Sequence, residues 1–139
     1  MKTASKTTAT GTTTDTVTST RNVEEVVRAY LATWNATEEQ EQQGLLARHW
    51  SPEVSYVDPL AAVQGHDGLR AVVSGVHEQF PGLVFSLVGD IDSHHDQLRF
   101  QWGLGPAGAE PVVIGFDVLV LDQAGRILDV RGFLDRIPQ

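Results

Sequence analysis

Cysteine is absent from this chain of 139 residues. No disulfide framework, thiolate metal site or cysteine nucleophile is available, and a reducing compartment suits the composition. Basic residues are few. Ten Lys and Arg stand against 18 Asp and Glu, a formal charge of -8, so the average field repels phosphate backbones and anionic membrane surfaces. Neither nucleic acid nor a membrane is an expected partner. Long apolar runs are missing too: none approaches the ~20 residues needed to span a bilayer. The N-terminus lacks the apolar stretch of a secretory signal, so the expected location is cytoplasmic.

What is present is enough for one core. A chain of this size buries roughly two-thirds of the surface its unfolded form exposes. Residues 1–21 stand apart as a Thr-rich tail, with ten Thr and, after Met1, only Val17 as a bulky apolar side chain. Such a segment buries too little to offset its ordering entropy and reads as disordered. A single domain is expected over residues 22–139.

Asn22 with Glu25 three residues on forms a helix-start signature, followed by Val23, Val26, Val27, Tyr30, Leu31 and Trp34 at helical spacing. A second helix is predicted after Thr37 as cap, ending in a stripe of Leu45, Leu46 and Trp50. From Glu53 the period becomes two, with Val54, Tyr56 and Asp58 on one face of a short strand that Pro59 stops. A loop to Gly65 leads into a third helix from about Asp67 to Phe80. Strands then run Leu83–Ile91, Gln97–Leu104, Val112–Leu121 and Ile127–Arg136, with turns at Ser93-His94-His95, Pro106-Ala107-Gly108 and Asp122–Gly125. Helices first and an antiparallel meander afterwards argue for an α+β fold with the helices on one face of a curved sheet.

Three polar groups fall where the pattern wants apolar ones. Asp117 interrupts Val112–Leu121, which otherwise consists of apolar residues and glycine and reads as buried on both faces. A carboxylate there must be hydrogen-bonded, solvated by a cavity, or kept protonated. It is either a satisfied structural aspartate or a functional acid. Asp58 shares the face of Val54 and Tyr56, although Asp-Pro at a strand end is also turn chemistry. Tyr30 belongs to the apolar stripe of its helix, and its hydroxyl needs a partner if buried. A phenol and a neutral carboxylic acid meeting at one point make an oxyanion site, and a nearby ionised carboxylate can move a proton on carbon.

The segments Val26–Asn35, Ser55–Pro59, Gly65 opening a helix, Gly115-Phe116-Asp117 and Gly125-Arg126-Ile127 resemble the nuclear transport factor 2-like (NTF2-like) superfamily over about Asn22 to Ile137. Within it they are most similar to the SnoaL-like polyketide cyclases and the ketosteroid isomerases. The resemblance implies a cone-shaped α+β barrel, with three N-terminal helices on a strongly curved, mostly antiparallel sheet. It also implies an apolar pocket open at one end and a homodimer formed through the sheet. Tyr30 and Asp117 fall where the isomerases carry their oxyanion donors, and Asp58 where they carry the proton-shuttling base. In the cyclases an aspartate on a late strand is the acid/base of an aldol closure, and Asp117 matches it. Two departures stand out: the stretch between Tyr30 and Asp58 is about four residues longer than in the isomerases, and Val73 replaces a supporting tyrosine.

The expected function is a cofactor-independent isomerase or cyclase that abstracts a proton next to a carbonyl of an apolar, polycyclic or similar small molecule. Asp58, Asp117 and Tyr30 are the candidate catalytic residues, and Trp34, Trp50, Tyr56, Phe100 and Trp102 the candidate substrate wall. The alternative is a noncatalytic NTF2-like module that binds a small ligand or a protein. A minor alternative is an epoxide hydrolase: Arg99 is similar to an arginine of the limonene-epoxide hydrolases, but Gln101 stands where their pattern needs an acid. Strand parity groups Leu98, Phe100, Trp102 and Leu104 on one face, the expected cavity face. Asp92, His94, His95 and Asp96 crowd one turn and read as a solvated hairpin, so no metal is expected. His77 reads as a helix-surface residue, and His49 lies beside an apolar stripe.

Overall fold

The computed structural model describes residues 22–138; the Thr-rich tail lies outside the described residues. Helix α1 (Val23–Asn35) starts where Asn22 Oδ1 accepts from the amides of Glu24 (2.9 Å) and Glu25 (3.3 Å), and it buries Val27, Tyr30 and Trp34. Helix α2 (Glu39–His49) is capped at Glu38 without a side-chain bond, not at Thr37 as the sequence suggested.

Trp50 is the first residue of strand β1 (Trp50–Asp58) and not the end of the preceding helix. Pro52 is the physical reason, because proline disfavours helical geometry in the residue before it and cannot donate to a helical ladder. The Trp50 ring is fully buried and donates from Nε1 to Thr33 Oγ1 at 3.0 Å. Residues Ala61–Gln64, expected as loop, form strand β2, which pairs antiparallel with β1 from Asp58↔Ala61 to Ser55↔Gln64. Four residues of mostly small side chains carry too little alternation to announce a strand. Helix α3 (Gly65–Gln79) follows without a gap, starting at Gly65 with φ +78°, earlier than its sequence pattern indicates.

Strands β3 (Val84–His94), β4 (Gln97–Gly105), β5 (Val113–Leu121) and β6 (Ile127–Arg136) form the expected meander. The β3–β4 turn is tighter than anticipated, with both strands running to His94 and Gln97 and His95 at φ +54° between them. The sheet order is β2-β1-β6-β5-β4-β3, antiparallel except where β1 lies parallel to β6. Register shifts in β1, β3, β5 and β6 mark irregularities of the kind that bend a sheet. The result is three helices packed on a curled six-stranded sheet.

Burial along β5 alternates. Val113, Gly115, Asp117, Leu119 and Leu121 are buried, while Ile114, Phe116, Val118 and Val120 are half-buried. The expectation of burial on both faces is thus corrected: the helices cover the inner face alone. Leu98, Phe100 and Leu104 are buried on that same inner side. No helix among the described residues is long and apolar enough to cross a membrane.

Candidate active site

The helices and the curled sheet enclose a cavity of about 510 Å³. Its walls come from α1 (Tyr30, Trp34), α3 (Val76, Phe80) and the inner sheet face (Phe85, Trp102, among others), with Leu60 and Ile137 near its mouth. Asp58 and Asp117 are its only charged lining residues among those described. No Lys, Arg or His among the described residues lines it, so the chamber suits a neutral apolar molecule.

Strand order brings the two acids together. Asp117 on β5 pairs with Gly132 on β6, and Val57 on β1 pairs with Arg131 on the other edge of β6. Gly132 therefore lies between the two acids. A Cβ on Gly132 would stand 2.7 Å from Asp117 Oδ1 and 3.3 Å from the Asp58 Cβ. Both side chains crowd the open face of Gly132 and leave no room for a Cβ there. Gly115 does similar work for Trp102: a Cβ there would lie 2.0 Å from Cζ2 of the indole. Gly115 entered the sequence reading only within the Gly115-Phe116-Asp117 motif and Gly132 not at all, although a glycine inside a strand pattern signals close approach of another group.

The acids have different surroundings. Asp58 is half-buried and accepts three hydrogen bonds: Tyr56 Oη to Oδ2 at 2.6 Å, and the amides of Leu60 and Ala61 to Oδ1 at 2.8 Å each. A carboxylate offers four lone-pair sites, so one remains free, on Oδ2. The two amide bonds also close the β1–β2 turn, which is structural work. Asp117 is 3% exposed. Burial pushes its carboxyl up to about 6, helped by the nearby Asp58 charge and opposed by the donors of Tyr30 and Trp102.

Tyr30 donates its hydroxyl to Asp117 Oδ2. Burial and the adjacent Asp117 charge hold this phenol well above the ordinary tyrosine range. Tyr56 is raised as well, by burial and by its bond to Asp58.

Of the aromatic residues proposed for the wall, Trp34, Tyr56 and Trp102 line the cavity. Trp50 and Phe100 do not. They form a layer behind Tyr30, Trp50 stacked on its ring at 5.3 Å and Phe100 edge-on at 5.4 Å. Parity places them on the inner face, but the helix sits over that part of the sheet. Phe85 and Phe80 take their place at the wall.

Other candidates lie elsewhere. Arg99 is exposed and paired with Asp92 at 3.1 Å, and Gln101 bonds Asp135 at 2.9 Å, so neither lines the cavity. His77 Nε2 meets the Trp34 carbonyl at 2.8 Å on the far side of α1, and His49 faces a shallow groove beside Arg126. In the β3–β4 turn His94 contacts His95 and Gln97. No cluster of three or more metal-ligating side chains occurs among the described residues.

The fold and site invite comparison with known proteins. A search of curated proteins finds no match. Among solved structures, a candidate isomerase of the SnoaL-like family from Agrobacterium tumefaciens is 36% identical, with a TM-score of 0.76 over 81% of this chain and 96% of that one. A candidate SnoaL-like polyketide cyclase from Jannaschia sp. shares the fold at 21% identity, with a TM-score of 0.67 over 90% and 92% of the two chains. A candidate polyketide cyclase from Sinorhizobium meliloti does so at 15% identity, with a TM-score of 0.60 over 78% and 93%. The model of the SnoaL-like domain matches residues 27–130. With three-quarters of its length matched by that model and 81% of it by the 36% identical relative, the chain belongs to the SnoaL-like family.

Proposed function

We propose that the protein is a cofactor-independent isomerase or cyclase that takes a proton from carbon next to a carbonyl of a neutral, apolar small molecule. The observation that carries this reading is the pair of acids that flank Gly132, in unlike surroundings, at the wall of an otherwise apolar chamber. Asp58 is the base. The free lone pair on its Oδ2 accepts the proton, while its three donors keep the carboxylate in place. As the C–H bond breaks, its electrons pass to the carbonyl oxygen. Protonated Asp117 and the Tyr30 hydroxyl donate to that oxyanion, and the aromatic wall excludes water.

The proton on Asp58 can return to a different carbon, which is isomerisation. Alternatively the enolate carbon attacks a second carbonyl, forming a carbon–carbon bond while the new alkoxide takes up a proton, which is cyclisation. The description of the 36% identical relative as an isomerase and of more distant ones as cyclases supports this pair of outcomes.

One observation favours a noncatalytic ligand-binding module instead: Asp58 already serves the β1–β2 turn. Deuterium incorporation separates the two readings. In heavy water, with a panel of polycyclic ketones such as 2-tetralone, an enzyme of the proposed type accelerates exchange at the carbon next to the carbonyl above the buffer rate. A binding module leaves the buffer rate unchanged.

We further infer a homodimer through the outer sheet face. Phe133 is 57% exposed there, its ring 6.5 Å from that of Phe116, with half-buried Val118 and Val120 alongside. Apolar surface of this kind is expected to be covered in an assembly.

A further inference from the structure

Trp34 carries a polar group that the chemistry above leaves unused. Its ring packs among Tyr30, Tyr56 and Phe85, with centroid separations of 6.2, 5.5 and 5.5 Å, and forms part of the cavity wall. Its Nε1–H is buried with no acceptor, the single such side-chain atom among the described residues. Buried donors without partners are rare, because they give up hydration for nothing. The Trp50 indole, by contrast, is engaged with Thr33 Oγ1.

Two phenols adjoin the ring, that of Tyr56, whose hydroxyl is directed to Asp58 Oδ2, and that of Tyr30. A donor placed on the Tyr30 oxygen would lower that phenol's proton affinity, against burial and the Asp117 charge, which both raise it. Yet no hydrogen bond closes between the Trp34 N–H and that oxygen. In the unliganded site the Tyr30 proton is directed to Asp117 Oδ2, which fixes where the phenol oxygen sits. A ligand oxygen that takes this proton instead frees the phenol oxygen from Asp117.

We propose that Trp34 is a positioning residue whose indole N–H bonds the Tyr30 phenol oxygen when Tyr30 donates to a ligand oxygen. The proposal rests on the reading of Tyr30 as an oxyanion donor. A bond absent in the free protein and made only when the ligand oxygen is held favours the state in which charge develops. A donor to the phenol oxygen also polarises the phenol O–H and strengthens its own donation.

Nitrogen-15 labelling of tryptophan makes each indole N–H visible by magnetic resonance. The probes are 2-naphthol, a flat apolar body with one oxygen, and naphthalene, the same body without it. In the wild type 2-naphthol moves the Trp34 indole proton downfield, naphthalene does not, and the shift disappears in Tyr30→Phe. Trp34→Phe weakens 2-naphthol binding about tenfold more than it weakens naphthalene binding, the loss of one ordinary hydrogen bond. If 2-naphthol binds with the Trp34 resonance unmoved, or moves it equally in Tyr30→Phe, the proposal fails while the reading of the acids stands. If Trp34→Phe weakens both probes equally, the residue is merely part of the wall. Should that variant not fold, the wild-type and Tyr30→Phe spectra decide alone. If 2-naphthol binds no better than naphthalene to the wild type, the oxyanion reading falls and the proposal with it.

Discussion

Asp117 lies directly across from Gly132 in the β5–β6 ladder, and its carboxylate occupies the space that a side chain on Gly132 would take. Adding a methyl group therefore acts on the acid itself. Gly132→Ala puts a Cβ 2.7 Å from Asp117 Oδ1, closer than real contacts allow, so the carboxyl or a strand must move. The expected cost is about 1–3 kcal/mol of stability by denaturant unfolding, with loss of ketone exchange activity beyond what the stability change explains. Wild-type stability and activity in Gly132→Ala would show that the gap is not needed.

The elevated carboxyl of Asp117 sets a pH limit on activity. Asp117 must be protonated to donate, and it loses its proton as pH rises through about 6. In kcat/KM, which reports the free protein, activity falls above that pH. Asp117→Asn still offers an N–H but has nothing to titrate, so it is slower and lacks this limb. A wild-type profile flat from about pH 5 to pH 8 would contradict the assignment.

The same group makes stability pH-dependent with an unusual sign. Because the folded carboxyl sits at about 6 against an ordinary value of 3.8, the native state binds the proton more tightly than the unfolded chain does. This stabilisation is complete below the unfolded value and is lost as pH rises through the folded one. Relative to Asp117→Asn, the wild type loses roughly 3 kcal/mol between about pH 3 and pH 8. Paired unfolding curves across that range measure it, and a constant difference would refute it.

Much of this was legible in the sequence because the strongest signals are local. Asn22 with the apolar stripe to Trp34 specifies α1, and turn residues at Pro106–Gly108 and Asp122–Gly125 specify the meander. Asp117 stood out because a carboxylate amid apolar residues must have a physical remedy, and the remedy is visible as the Tyr30 hydroxyl and the cavity. What the sequence withheld depends on neighbours far along the chain. Strand β1 parallel to β6 is a pairing across some 70 residues, and it alone brings Asp58 to the edge of Gly132. Phe100 points inward as parity requires and Trp50 was read as the end of a helical stripe, but neither pattern tells where α1 lies, so the line between core and cavity wall was unreadable. Gly115 and Gly132 act through the side chains they do not have.

The outer sheet face provides an independent prediction. Sedimentation of the wild type should give the mass of a dimer, and Phe133→Glu should give a monomer that keeps its secondary structure. A wild-type monomer at micromolar concentration would remove the interface, because the exposed Phe133 and its half-buried neighbour Phe116 would then be ordinary surface.

Proton abstraction by Asp58 is tested most directly by deuterium exchange on 2-tetralone with the Asp58→Asn protein beside the wild type. Asparagine can still accept from the Leu60 and Ala61 amides through its carbonyl oxygen, so the turn is kept while the base is removed. The wild type should accelerate exchange, and Asp58→Asn should lose at least about a hundredfold of that acceleration. Equal acceleration by the two folded proteins would contradict the account.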